Sequence, residues 1–135
     1  MNARDEGRRR RAVTTHDVRA RAEAARAFRD AARLLVDEPE YAQVAAALAV
    51  LAGIAAADAV CGHALGQYSR AQGHREAIDL LTSVDETLAK QLGLLLAQKD
   101  NAHYSPRAMS AVTVTQLVRA AGHLVEQMDA RLTGG

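Results

Sequence analysis

Apolar residues recur along most of this chain at the three-and-four spacing of a helix, not in the alternation of a strand. Val18, Ala22, Ala25, Phe28, Ala32 and Leu35 form the first such stripe. Thr14 or Thr15 ahead of it suits a helix cap, with Asp17 favourable in the first turn. The stripe stops at Asp37-Glu38-Pro39, because the residue before a proline avoids helical backbone angles. Pro39 in turn suits the first turn of a second helix, predicted to run to about Gly66. That helix is apolar nearly all round, which marks a central buried element. A short third helix is predicted from about Gly73 to Thr82, with Ala77, Ile78 and Leu81 on one face. Asp85 caps a fourth, predicted to run to about Tyr104, where Ser105-Pro106 interrupts the chain. Ser110 caps the fifth, with the stripe Val114, Leu117, Val118, Ala121, Leu124, Val125, Met128 and Leu132, closed by Thr133-Gly134-Gly135.

Four long helices and one short one, joined by short connections, make neighbours antiparallel. The expected fold is all-α, an up-down four-helix bundle with one additional short helix, over residues 14–135. Residues 1–13 (MNARDEGRRRRAV) are polar and Arg-rich and are expected to form a disordered tail. Composition agrees with one helical domain. Of 135 residues, 30 are Ala and only 3% are aromatic. That disfavours a β-sandwich, whose strands need aromatic and β-branched residues, and favours helices packed closely on small side chains.

Charge adds an asymmetry. The net charge is +1 overall, so there is no global nucleic-acid signature. Residues 1–33 nevertheless hold ten Arg against five acids, and the rest holds seven basic against eleven acidic groups. The run Arg8, Arg9, Arg10, Arg11 is a candidate contact for nucleic acid or an acidic partner, without interleaved aromatics. The Arg and Ala bias is that of a GC-rich bacterial genome and does not bear on function. The single cysteine, Cys61, excludes an internal disulfide and a cysteine-based zinc site; in an apolar stretch it is expected buried and reduced, as in the cytoplasm. No apolar segment follows the N-terminal charges, so no signal peptide is expected. The apolar run from Val44 to Ala57, about 14 residues, falls short of the roughly 20 that span a membrane.

Candidate chemistry gathers at the end of the fourth predicted helix, Gln98-Lys99-Asp100-Asn101-Ala102-His103-Tyr104. Lys99 and His103 share a helix face. They also continue that helix's apolar stripe, each seven residues beyond a leucine, Leu92 and Leu96. Two readings follow: a last turn whose basic groups favour the helix C-terminus, or a cleft at the end of the bundle or at a subunit interface. Asp58 is the second polar interruption, inside an Ala-rich apolar helix. A buried carboxylate needs a partner, and His74, Lys99 and His103 are the candidates. It is either a tertiary tie to a neighbouring helix or an orienting group for a site histidine. His63 is expected at the wet end of its helix, and His123 is expected exposed. The ladder Arg19, Glu23, Arg26, Asp30 and Arg33 reads as a solvated face of helical ion pairs. No close pair of histidine and carboxylate sits on a clean exposed face, so neither a metal nor another cofactor is expected.

The order of four phrases resembles the HEPN superfamily: Ala57-Asp58-Ala59-Val60, Gly73-His74-Arg75-Glu76-Ala77, Lys99 to Tyr104, and Ser105-Pro106. The resemblance covers roughly residues 42–131 and looks like a bacterial HEPN-like branch. It implies a homodimer. It also implies either a metal-independent ribonuclease or a relative with an altered site, often with a nucleotidyltransferase-like antitoxin as partner. The family motif separates an Arg from the His by four to six intervening residues. The matching positions here, Gln98, Ala97 and Leu96, hold none. The toxin variant with Tyr two residues after His also fails, because Tyr104 follows His103 directly.

If the site is active, His103 serves as general base or acid at a ribose 2′-hydroxyl, imidazole titrating near neutrality. Lys99 then stabilises phosphorane charge, as a point charge without Arg's bidentate fork. The resemblance therefore implies a cytoplasmic interaction protein linked to RNA or toxin–antitoxin biology. The alternative is an endoribonuclease using His103, Lys99 and Asp58. No membrane partner is expected.

Overall fold

The computed structural model describes residues 10–69, 74–104 and 109–134. Among them lie six α-helices: α1 (Thr15–Leu35), α2 (Ala42–Leu65), α3 (His74–Thr82), α4 (Glu86–Ala97), α5 (Lys99–Tyr104) and α6 (Ala111–Thr133). Two three-residue strands, β1 (Arg10–Ala12) and β2 (Gln67–Ser69), accompany them. The fold is helical, as the spacing predicts.

The caps form where the sequence places them. Thr14 accepts from the Asp17 N–H while Asp17 accepts from the Thr14 N–H, a capping box that satisfies two orphan donors at once. Asp85 accepts from the Leu88 N–H, and Ser110 from the Thr113 N–H. The Leu88 amide, with Arg131 beside it, holds the Asp85 carboxyl below its ordinary pKa.

The architecture departs from expectation at three places. Pro39–Tyr41 is a single 3-10 turn, and α2 proper begins after it. The predicted fourth helix breaks at Gln98, whose N–H folds back onto the Leu95 carbonyl at 3.1 Å. Helical phase is therefore reset between α4 and α5, and counting seven residues onward from Leu92 and Leu96 does not carry the buried stripe across. Ala102 is the buried residue of α5, while Lys99 and His103 are half-buried. Arg10–Ala12, expected within a disordered tail, form β1, which pairs antiparallel with β2. Gly66 makes this possible. Its φ of +69° is open to a residue without Cβ, and it turns the chain back so that the Val13 N–H donates to its carbonyl.

α2 is the centre of the core. Ala45, Ala46, Ala49, Ala52, Ala55, Ala56 and Ala59 are all fully buried. Their small side chains let neighbours approach closely, and the volume comes from elsewhere: Leu88, Leu92 and Leu95 on α4, and Leu117, Leu124 and Met128 on α6. The segment Pro39–Leu65 is long and apolar enough to cross a membrane, more so than the run from Val44 to Ala57 suggests, because only Asp58 interrupts its second half. Some 67% of its apolar window is buried inside the protein, which accounts for the apolar character as core.

Arginines on α1 fix its place. Arg26 pairs with Asp129 on α6 at 2.7 Å, and Arg33 lies across Gly122. The predicted solvated ladder is thus partly tertiary: two of its arginines reach another helix, because α1 packs antiparallel to α6. Asp85, the cap of α4, pairs with Arg131 of α6 at 2.5 Å.

Two glycines separate helix propensity from packing. A Cβ at Gly93 meets only Ile78 Cδ1 at 3.8 Å, whereas a Cβ at Gly53 comes within 2.4 Å of Leu95 Cδ1 in the sealed core. Gly93→Ala is expected to stabilise by about 0.5–1 kcal/mol through helix propensity. Gly53→Ala gains the same propensity but forces Leu95 out of its rotamer, and is expected to destabilise by about 1 kcal/mol net. Urea denaturation of the two variants checks the opposite signs.

Candidate functional site

The residues singled out by sequence fall at opposite ends of α2. At its start, the 3-10 turn, the first turns of α2 and the short α5 enclose an open groove of about 650 Å³. Val44, Ala47, Leu48 and Leu51 form its floor, Glu40 and Gln43 one rim, and Ala102 and His103 the other. Gln43 ties the two sides, its side-chain amide donating to the Asn101 carbonyl at 3.3 Å. His103 Nε2 is shielded from solvent although the residue as a whole is half-buried. Lys99, one turn earlier, is half-buried and is not among the lining residues. Tyr104 closes α5, its side chain lying outside the described residues together with Ser105 and Pro106.

Asp58 sits further along α2, about 10 Å by helical rise beyond Leu51, the last residue of the groove floor, and roughly 20 Å beyond Val44. Its partner is none of the three expected. Arg21 of α1 holds Asp58 Oδ2 through Nε at 3.1 Å and Nη2 at 3.0 Å. The reason lies in register: α1 and α2 run antiparallel from the turn at Pro39, which brings the start of α1 to the end of α2. His74 is half-buried at the head of α3, and Lys99 and His103 are at the other end of α2. Asp58 is thus a tertiary tie and does not orient His103.

Burial pushes the Asp58 carboxyl up to about 6, against the opposing charge and hydrogen bond of Arg21. The same burial, with the Asp58 charge adding to it, pushes the Cys61 thiol up to about 12. Cys61 is buried, as expected, and at neutral pH it is a thiol with little nucleophilic character.

The remaining candidates divide. His63 is exposed, as predicted, whereas His123 is half-buried. Arg10 and Arg11 lie on β1, and Arg8 and Arg9 fall outside the described residues. Among the described residues no group of three or more His, Cys, Asp or Glu is placed to hold a metal ion. Sequence reasoning missed the groove's floor and Arg21. The floor had a readable signal: α2 carries Val44, Leu48 and Leu51 as well as its buried alanines, more apolar faces than a helix needs on its core side. Arg21 had none beyond its position on α1.

The Asp58 shift fixes a pH dependence. A carboxyl raised in the fold from 3.8 to about 6 binds its proton more tightly folded than unfolded. Its contribution to stability is therefore full below pH 4 and is lost as pH rises through 6. Against Asp58→Asn, which keeps the hydrogen bond to Arg21 and removes the titration, wild type is expected to lose on the order of 2–3 kcal/mol between pH 4 and 7.5. Urea denaturation of both proteins at the two pH values measures the gap; a constant gap rules the shift out.

Compared with protein-family models, with curated proteins and with solved structures, the chain matches none.

Proposed function

We propose that this chain is a non-catalytic interaction protein of HEPN-like type, an up-down helical bundle that works as a homodimer in the cytoplasm. Its role lies close to RNA or toxin–antitoxin biology, with a nucleotidyltransferase-like antitoxin or RNA as partner. The observation that carries this reading is the separation of the would-be catalytic groups. Asp58 is held by Arg21 at the far end of α2 from His103, and Lys99 does not line the groove that His103 borders. Phosphoryl-transfer chemistry needs a base and a charge-stabilising group at one reacting centre, within about 3 Å of it. An apolar floor bordered by the Glu40 carboxylate, the Gln43 amide and one imidazole, with no cation among its lining residues, suits the burial of side chains from a partner better than it suits a phosphodiester.

A second reading has one observation in its favour. His103 stands at the rim of an open groove, with Lys99 one helical turn away, so a pair assembled across a dimer would have access to RNA. An assay separates the two. Purified protein incubated with structured and unstructured RNA in EDTA is expected to give no cleavage above a buffer control. Cleavage by wild type that disappears in His103→Ala overturns the non-catalytic reading and makes His103 the catalytic residue.

A further inference from the structure

The floor of the His103 groove is a stripe along one face of α2. Val44, Ala47, Leu48 and Leu51 stand at i, i+3, i+4 and i+7, two turns and about 10 Å of helix. Tyr41, the residue that precedes α2, stands one turn before Val44. Tyr41 and Val44 are each 46% exposed, two of the large apolar side chains that the described residues leave in water. Ala47, Leu48 and Leu51 are half-buried. On the other side are Ala102 and His103 of α5, which the bond from Gln43 to the Asn101 carbonyl holds against α2. An exposed apolar strip with a polar rim marks a docking site. An open trough floored at this spacing has the shape that accepts a second helix, whose own anchors recur three and four residues apart. A small molecule finds no enclosure there.

The charges around this trough are mostly of one sign. Glu40 lines it, Asp37 and Glu38 stand exposed in and beside the same turn, and Asp100 is exposed on α5, three residues before His103. Among the described residues none of these four carboxylates is joined to a cation, unlike Asp58, Asp85 and Asp129. No Lys or Arg lines the groove. Lys99 is half-buried outside it, and Arg33, near the end of α1, lies across Gly122 of α6 instead. A partner that covers the floor therefore needs apolar side chains along its middle and positive charge at its margins. A polyanion meets repulsion on approach and an apolar floor on contact, which excludes RNA as the occupant. We infer that the groove receives an amphipathic helix of another protein, its apolar anchors flanked by Lys or Arg. This rests on the interaction-protein reading and adds to it which surface binds and what chemistry the partner presents.

The test is selection against the full chain from a displayed library of random peptides of about 14 residues, some four helical turns. Selected sequences are expected to carry apolar residues three and four apart with Lys or Arg beside them. The most enriched is then made as a free peptide and its binding followed by fluorescence anisotropy. Val44→Asp, on an exposed residue whose change spares the core, is expected to weaken binding about tenfold. Val112→Asp, on an exposed residue of α6, is expected to leave it unchanged. Glu40→Lys is expected to weaken the basic peptide and to strengthen its counterpart with Glu in place of each Lys and Arg, a reversal that loss of folding cannot imitate. Selected sequences that are acidic or uncharged, no selection at all, or binding indifferent to Val44→Asp each overturn the inference. Displacement of the peptide by oligouridylate overturns it as well and makes RNA the occupant. The cleavage assay judges the functional reading separately: no cleavage together with a failed selection keeps the non-catalytic reading and discards this groove as its docking surface.

Discussion

α2 has apolar surface on every side, and the rest of the described chain covers all of it but one. That constraint organises the molecule. A helix built on alanine offers little volume and little shape of its own, so stability has to come from what closes over it. The leucines of α4 and α6 fill the space against its alanines, and α1 lies along it. Gly53 sits where the packing is tightest, with Leu95 and Leu124 against its backbone. The side left uncovered becomes the floor of the His103 groove. Core and surface features thus have one origin: an apolar helix in a chain with too few helices to bury it completely.

The polar ties act on this framework by setting register. Helices that meet through alanine can slide and rotate at little cost, because small side chains leave shallow ridges and grooves. The pairs Arg21–Asp58, Arg26–Asp129 and Asp85–Arg131 each join two helices at a defined level. As partly exposed ion pairs they add little to stability singly. Their value is in specifying one alignment among several of similar apolar burial. Asp58 shows the compromise. Burial works against its charge more strongly than Arg21 works for it, and the carboxyl remains because it fixes where α1 stands on α2.

The helices themselves were legible because their signals are local. Thr14 with Asp17, Asp85 and Ser110 each mark a start within three residues of the group they bond, and the α6 stripe is written in its own periodicity. What lay beyond reach was set between segments. The break at Gln98 follows from how α5 folds onto the start of α2, and it removes the seven-residue continuity that placed Lys99 and His103 on a buried face. The residues with evident chemistry near Asp58 in the sequence pattern all follow it, whereas the antiparallel turn at Pro39 brings Arg21 of the preceding helix to it. β1 is not legible because three residues of an arginine-rich segment carry no alternation, and its pairing depends on Gly66, more than fifty positions away. The groove is half legible: the helix end marks out His103, but an apolar pattern on every side of α2 does not tell a groove floor from a buried core face.

The same geometry decides which positions before His103 can carry a cation. In a continuous helix the positions five to seven before His103 would lie within two turns of it, the seventh on the same face. Here those positions, Leu96, Ala97 and Gln98, fall on or before the break. Leu96 is buried in the core that α4 forms with its neighbours, and Gln98 is the residue at which the backbone turns. A cation at Leu96 would remove a core leucine and bury a charge, a change that destabilises by several kcal/mol. Lys99 is the first position past the break where a cation is tolerated, and from there it shares His103's helix while standing outside the groove. The packing that seats α5 on α2 is therefore the physical reason why the cation nearest His103 in sequence stands at Lys99, outside the groove, and not at Leu96.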